Sequence, residues 1–137
     1  MNWLIVGQLL LAIVLGAAIG LERELKRKQA GLQTYSLVTF GACLFSIVIF
    51  SLAKLNILDP SALITALAIG MGFIGAGAIF RGEERIQGLT TAAGLWTATA
   101  IGLAVGAGFY FLAVLATILV VLIFLGFGLV EQKFIKK

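Results

Sequence analysis

The amino-acid sequence predicts an all-α membrane protein, a bundle of about five transmembrane helices. Of its 137 residues, 61% are hydrophobic and only 12% are charged, against roughly 25% charged residues in an average soluble domain. The apolar residues form long runs, and the basic residues gather in the short segments between them. A soluble domain of this length could not bury so much apolar surface, whereas a lipid bilayer accommodates it.

The first helix is predicted over Trp3–Leu21, a run of 19 residues that nearly reaches the roughly 20 needed to cross a bilayer. No Lys or Arg precedes it, so it lacks the basic start of a secretory signal, and we interpret it as a retained helix. In the charged segment that follows, two acid–base pairs have the favourable i, i+4 order, which indicates that the helix continues beyond the membrane. These pairs are Glu22 with Lys26 and Glu24 with Lys28.

Helices two and three are predicted over Tyr35–Leu55 and Ala62–Phe80, joined by a turn at Asn56–Ser61. Asp59 can cap the start of helix three with its carboxylate. Pro60 suits the first helical position, because the backbone N–H that proline lacks would have no hydrogen-bond partner within the helix there.

The remaining apolar segment contains two helices by the same length argument. After a loop at Arg81–Gly88, Leu89–Val130 runs for 42 residues without a charge. Since one span needs roughly 20 residues, this segment predicts helices four and five, with a turn near Gly106–Gly108.

The placement of charge predicts that the N-terminus lies outside and the C-terminus in the cytoplasm. In this orientation nine of the ten Lys and Arg residues are cytoplasmic, and only Lys54 lies outside. The cytoplasmic residues are Arg23, Lys26, Arg27, Lys28, Arg81, Arg85, Lys133, Lys136 and Lys137. We expect their partners to be anionic lipid headgroups rather than nucleic acid, because the chain has no nucleic-acid-binding motif.

A short internal similarity indicates shared turn chemistry, with a parallel repeat of two helices each as the alternative. Gly31–Thr34 before helix two resembles Gly88–Thr91 before helix four. In either case the glycine is expected to adopt a positive φ, and the threonine to cap the next helix. These residues are Gly31 and Gly88, and Thr34 and Thr91.

The residue inventory argues against an enzyme. With one cysteine, Cys43, and no histidine, the chain can form no intramolecular disulfide, histidine triad or histidine-ligated zinc site. We therefore predict no catalytic residues and no cofactor. All acidic residues fall at predicted helix ends or in loops, so neither Mg²⁺ ligands nor a proton carrier is visible at mid-membrane. A pore lined by backbone carbonyls of an oligomer remains open.

Glycines form the first candidate set, because small residues let helices approach closely in lipid. The set comprises Gly16, Gly20, Gly70, Gly72, Gly75, Gly77, Gly102 and Gly106. The two GxxxG spacings, in helices one and four, favour a homodimer. The alternative is an irregular helix three that exposes carbonyls to an ion.

The second candidate set is a cytoplasmic anion site. Helices two and four both begin at that face, and helix N-termini attract anions. We predict a site for phosphate or a lipid headgroup, with Glu22 at the membrane boundary turned inward beside it. Its other residues are Arg23, Thr34, Arg81 and Thr91. The alternative is a solvated, lipid-facing anchor.

Four stretches resemble the MgtC/SapB family of bacterial inner-membrane proteins in order and spacing. They are Gly16–Arg23, Ala30–Thr34 continuing to Gly41–Ala42, Gly70–Arg81 and Gly88–Trp96. The resemblance implies a role in Mg²⁺ homeostasis and in adaptation to low Mg²⁺ and host-like stress. It further implies a regulator that binds other membrane proteins, including the ATP synthase. A transporter or channel for Mg²⁺ or another small ion is the alternative.

Longer members of that family carry a soluble ACT-like domain at the C-terminus, and this chain ends at Lys137. It is therefore either a naturally short member or the membrane part of a longer protein. Functions of the soluble domain are not carried over to it.

Overall fold

The computed structural model describes residues 3–57, 59–82 and 85–130. Over these residues the chain forms five helices: α1 (Trp3–Leu25), α2 (Leu32–Lys54), α3 (Pro60–Gly77), α4 (Leu89–Gly106) and α5 (Tyr110–Val130). Two short strands, β1 (Phe80–Arg81) and β2 (Ile86–Gln87), pair antiparallel between α3 and α4. Each of the five helices is long and apolar enough to span a membrane, which confirms the predicted fold class.

The predicted helix boundaries need small corrections. Helix α1 continues to Leu25, as the charge pairs predicted, and α2 begins at Leu32 rather than Tyr35. Helix α3 ends at Gly77 instead of Phe80, because the chain turns there into the β-hairpin. The predicted turn between α4 and α5 is confirmed. Three of the cytoplasmic lysines and the acidic residues Glu83, Glu84 and Glu131 lie outside the described residues.

The cap predicted for α3 is confirmed. The Asp59 carboxylate accepts a hydrogen bond from the backbone N–H of Ser61 at 2.9 Å, and Pro60 is the first helical residue. The threonine caps predicted for α2 and α4 are wrong. Glycines occupy both N-cap positions, and Thr34 and Thr91 already lie within the first helical turn.

The start of α2 is capped from a different helix. Glu24, near the end of α1, accepts a hydrogen bond from the backbone N–H of Leu32 at 3.1 Å. A Cβ at Gly31 would collide with the Glu24 carboxylate. The φ of Gly31 is −121°, so the positive φ predicted for this residue is wrong. The close approach of the Glu24 carboxylate explains the glycine instead. Gly88 has the predicted positive φ, +88°.

The Glu24 cap also replaces a predicted ion pair. Among the described residues Glu22 pairs with Lys26, as predicted, but Glu24 and Lys28 form no ion pair. The Glu24 carboxylate instead neutralises the positive end of the α2 dipole.

Helix α4 lies at the centre of the bundle and contacts the other four helices. The core is built where α4 meets α1 and α2, around Ile19, Tyr35 and Ile101. Within the chain, 56% of the α4 span is buried but only 12% of the α3 span. The bundle is therefore tight on one side of α4 and open on the other.

One end of the bundle collects most of the described cations, and we call it the basic end. It contains residues 22–31, the paired strands β1 and β2, and the start of α4. Side-chain contacts tie it together: Glu24 reaches Leu32, and Gln29 lies close to Gly88. The C-terminal part of α5 joins it through a hydrogen bond from Lys26. The predicted orientation places this end in the cytoplasm.

Candidate functional site

Three charged residues at the end of α1 form a buried ion cluster, which consists of Glu22, Arg23 and Lys26. Glu22 and Arg23 are 7% and 4% exposed. Lys26 Nζ lies 2.6 Å from one carboxylate oxygen of Glu22, and Arg23 Nη1 lies 3.4 Å from the other. Glu22 and Arg23 thus turn into the bundle, and one carboxylate lies between two cations, so the cluster keeps one net positive charge.

The ion cluster holds α5 against α1. Lys26 Nζ donates a hydrogen bond to the Phe124 carbonyl oxygen at 2.9 Å. The Arg23 guanidinium lies over the Phe124 ring, 4.2 Å from its centroid, in cation–π geometry. Because α5 carries no charge of its own, these contacts supply its polar attachment at the basic end.

The surroundings of Arg23 come from three helices. Tyr35 on α2 is fully buried, and its hydroxyl donates a long hydrogen bond of 3.5 Å to the Thr91 carbonyl on α4. A Cβ at Gly94 would collide with the Tyr35 hydroxyl and would lie 2.7 Å from the Phe124 ring. Because Gly94 has no side chain, Tyr35 and Phe124 can both pack against α4 at this point and reach the ion cluster. Arg23 Nε has no hydrogen-bond partner among the described residues.

Four of the predicted packing glycines press against α2. On α1, a Cβ at Gly16 would lie 2.6 Å from the Tyr35 carbonyl oxygen. A Cβ at Gly20 would lie 2.7 Å from Leu32 Cα. On α4, a Cβ at Gly102 would collide with α2 backbone, and one at Gly106 would lie 2.6 Å from a carbonyl oxygen of α2. Both GxxxG faces are therefore occupied inside the chain.

Hydrogen bonds between helices form at the same contacts of α2 with α1 and α4. The Thr39 hydroxyl on α2 donates to the Ala12 carbonyl on α1 at 2.7 Å. The Ser46 hydroxyl donates to the Leu103 carbonyl on α4 at 3.0 Å. Hydrogen bonds of this kind fix helix register in a bilayer, where water does not compete for the polar groups.

The glycines of α3 behave differently. A Cβ at Gly70, Gly72 or Gly77 would meet no atom of residues 3–57, 59–82 or 85–130 within 4 Å. Gly75 makes ordinary contact with Ala92 on α4, 3.7 Å from its carbonyl oxygen. Helix α3 is therefore held by few contacts.

A cleft made of two cavities separates α3 from α2 and α4. The apolar cavity, of about 430 Å³, lies between the three helices and is lined by residues such as Leu37, Gly41 and Gly70. The polar cavity, of about 360 Å³, lies at the basic end. Ile74 lines both cavities, so they adjoin along α3.

The predicted anion-site residues are divided between two places. Thr34 and Thr91 line the polar cavity together, with Gln29. Arg23 is engaged with Glu22 and α5, Arg81 is exposed on β1, and neither lines that cavity. The anion site as predicted from the sequence therefore stays a prediction. No group of three or more Cys, Asp or Glu side chains suitable for a metal ion occurs within the described part of the chain.

Sequence reasoning missed the partners of the ion cluster. Phe124 sits inside a long uncharged run, where no charge or spacing singles it out. Gly94 lies outside both GxxxG motifs, and only the bulk of the side chains facing it reveals its role. The i, i+4 spacing did predict the Glu22–Lys26 pair.

Comparison with known proteins places these features in a family. The sequence profile of the MgtC family matches residues 9–133. An uncharacterized protein of Haemophilus influenzae is 44% identical over 125 residues, covering 85% of this chain and 52% of that protein. The Escherichia coli K12 protein named "Putative magnesium transporter YhiD" is 40% identical over 123 residues, covering 85% and 57%. Protein SapB of Bacillus subtilis is 41% identical over 121 residues, covering 80% and 52%.

The chain spans about half the length of these relatives. No solved structure matches it.

Proposed function

The chain belongs to the MgtC family, and from this premise we propose that it is a non-enzymatic regulator of the bacterial inner membrane. In this proposal it binds other membrane proteins and acts in magnesium homeostasis and adaptation to low Mg²⁺. The family resemblance implies the ATP synthase as the first partner to test. Helix α3 supplies the observation that carries the proposal.

The face of α3 that points away from the bundle, which we call the outer face, includes Ile69, Gly72 and Phe73. Ile69 and Phe73 are 70% and 83% exposed, and no atom of the described residues lies within 4 Å of a Cβ at Gly72. A glycine inside a helix costs about 1 kcal/mol relative to alanine. Gly72 gains no close packing against the described residues to offset that cost. Small residues on membrane helices are typical of contacts with another helix.

The contrast with α1 and α4 strengthens this proposal. The glycines of their GxxxG motifs press against α2, so the faces formed by those motifs have no room for another helix. The outer face of α3 combines a small residue with large exposed apolar neighbours, which suits docking of a transmembrane helix from another protein. A second copy of this chain is the competing occupant.

Co-purification tests the proposal. Tagged wild-type chain, extracted from native membranes in mild detergent, is expected to retain ATP synthase membrane subunits, measured by mass spectrometry. Gly72→Leu is expected to reduce their amount about tenfold, equivalent to about 1.4 kcal/mol. Gly7→Leu is the matched control, because Gly7 also has nothing within 4 Å and lies on α1.

Wild-type chain that recovers only further copies of itself would contradict the regulator proposal. Undiminished recovery with Gly72→Leu would reject the outer face of α3 as the contact. Cross-linking of wild-type chain in membranes distinguishes a homodimer from a complex with another protein.

An ion transporter is the second candidate, favoured by the name of the Escherichia coli relative and by the cleft beside α3. Purified chain in proteoliposomes with an internal Mg²⁺ dye tests it. A Mg²⁺ influx above that of empty vesicles would support transport, and influx at background under an imposed gradient would reject it. The outer face takes no part in such transport, so Gly72→Leu should leave any influx unchanged.

A further inference from the structure

We propose that the cleft between α2, α3 and α4 binds one anionic phospholipid from the leaflet at the basic end. One acyl chain occupies the apolar cavity, and the headgroup lies at the polar cavity. This inference concerns the inner side of α3 and is independent of the partner proposed for its outer face.

The two cavities follow the same helix faces. Residues on each wall recur at helical spacing of three or four, so the walls run along the helices from the basic end towards mid-membrane. On α2 the wall consists of Thr34, Leu37, Val38, Gly41 and Phe45; on α3 of Leu67, Gly70, Met71, Ile74 and Gly77; and on α4 of Thr91, Leu95 and Thr99. Since Ile74 belongs to both cavities, they adjoin along α3, and in this proposal one elongated molecule spans the two.

The polarity of the cleft changes along its length. At the basic end, Gln29, Thr34 and Thr91 offer an amide and two hydroxyl groups. Deeper in the cleft the lining is apolar apart from Thr99, whose hydroxyl donates to the Leu95 carbonyl at 3.1 Å within its own helix. A polar entrance followed by an apolar channel matches an amphiphile with its headgroup at the basic end.

The dimensions match one acyl chain. From Thr34 to Phe45, α2 rises by roughly 16 Å, at about 1.5 Å per residue. One leaflet contributes about half of a hydrocarbon core that is roughly 30 Å thick. The cleft is therefore as long as one leaflet is deep.

The apolar cavity has room for an acyl chain. Its volume is about 430 Å³, and it follows the roughly 12 Å of helix between Leu37 and Phe45. A chain of methylene groups fits this space, and the contacts that it makes there are lost if the cavity stays empty.

Basic residues at the basic end favour a lipid with an anionic headgroup. Lys28 and Arg81 are exposed at the basic end and are the sequence neighbours of Gln29 and Phe80, which line the polar cavity. A basic residue near a membrane surface attracts anionic lipid by about 1 kcal/mol. An anionic phospholipid is therefore favoured over a zwitterionic one with the same acyl chains.

Native mass spectrometry of the purified chain tests the proposal. Wild-type chain in mild detergent, supplied with equal amounts of phosphatidylglycerol and phosphatidylethanolamine, is expected to retain one lipid molecule, with phosphatidylglycerol at least fivefold enriched. Arg81→Gln is expected to lower this enrichment while the total amount of bound lipid changes little.

Leucine substitutions fill the cleft without a clash. Gly41 and Gly70 lie on opposite walls of the apolar cavity, and a Cβ at either meets nothing within 4 Å. Gly41→Leu and Gly70→Leu are each expected to reduce bound lipid about tenfold, while the thermal unfolding temperature shows that the variant is folded. Gly72→Leu is the matched control, because it lies two residues from Gly70 on the outer face. It is expected to retain the lipid even if it loses a protein partner.

Lipid retained undiminished by both Gly41→Leu and Gly70→Leu would overturn the site. Equal retention of the two phospholipids by wild-type chain would overturn the anionic class of the ligand. Loss of a second copy of the chain, rather than of lipid, in the Gly70→Leu variant would assign the cleft to a protein contact and would also overturn the proposal.

Discussion

The α1–α2–α4 core and helix α3 use the same small residue in opposite ways. In the core, glycines bring helix backbones so close that a methyl group would lie within 3 Å of a neighbouring atom, as at Gly16 and Gly20. In α3, three of four glycines face open space. The comparison teaches that glycine spacing alone does not identify a close approach. The core glycines have their partner inside the chain, whereas for α3 we propose a partner outside it.

Polar contacts between helices also distinguish the core from α3. The core has buried hydroxyls that bond across helices, such as Thr39 to Ala12, and an ion cluster that secures α5. Helix α3 meets the bundle through Met71 and the contact between Gly75 and Ala92.

The largest effect is expected from breaking the ion cluster. Glu22→Ala leaves Arg23 buried without its counter-charge, and loss of one partner of a buried ion pair costs about 3 kcal/mol. The free energy of unfolding in detergent micelles is the measurement. The double variant Glu22→Leu with Arg23→Met removes the two buried charges and leaves only Lys26, whose side chain is 30% exposed, so it should recover most of the loss. A loss below about 1 kcal/mol for Glu22→Ala would show that the cluster contributes little to stability.

The next largest effect is expected at the α1–α2 contact. Gly16→Ala places a methyl group against the Tyr35 carbonyl and should cost about 2 kcal/mol, as overpacking does. Gly7→Ala on the same helix is the control. It meets open space and should gain up to about 1 kcal/mol from better helix propensity. Equal effects of the two substitutions on thermal unfolding would contradict the close contact.

A smaller effect is expected from removing one interhelical hydrogen bond. Thr39→Val removes the bond to Ala12 and should cost about 0.6 kcal/mol, the average for such bonds in a membrane protein. Thr97→Val is the control, because the Thr97 hydroxyl bonds only to Ala93 within its own helix. A difference indistinguishable from zero between the two variants would indicate that the Thr39 bond adds nothing to helix association.

The smallest effect concerns the start of α3 and depends on pH. Hydrogen bonds from the Ser61 hydroxyl and backbone N–H lower the pKa of Asp59 below its ordinary value. Its stabilisation is therefore complete above the unfolded-state pKa and is lost as the pH falls through the folded-state pKa. Wild-type chain should lose more thermal stability than Asp59→Asn over that acidic range. Parallel curves for the two proteins would exclude a contribution from this cap.

Much of the bundle could be predicted from the sequence. Uncharged runs and their lengths gave five spans, because a bilayer imposes about 20 residues on each. The Asp59–Pro60 cap and the turn after Gly106 are local signals and were predicted correctly. The hairpin at residues 80–87 was missed, since its two-residue strands are too short for an alternating pattern.

The candidate site was less predictable, because its contacts are not local. The sequence places Thr34 and Thr91 near helix starts, and they meet at one cavity only because α2 and α4 pack side by side. It cannot show that Arg23 turns towards Phe124, about a hundred residues further along the chain. Glu24 capping α2 was missed for the same reason, since its i, i+4 neighbour Lys28 offered a simpler partner.

The measurement that tests the account most directly compares Gly102→Ala with Gly72→Ala in the same lipid nanodiscs. A Cβ at Gly102 collides with α2 backbone, whereas one at Gly72 meets nothing within 4 Å. Gly102→Ala should lower the free energy of unfolding by about 2 kcal/mol, and Gly72→Ala should raise it by up to about 1 kcal/mol. A loss of similar size in both variants would contradict the division of the chain into a tight core and an open α3.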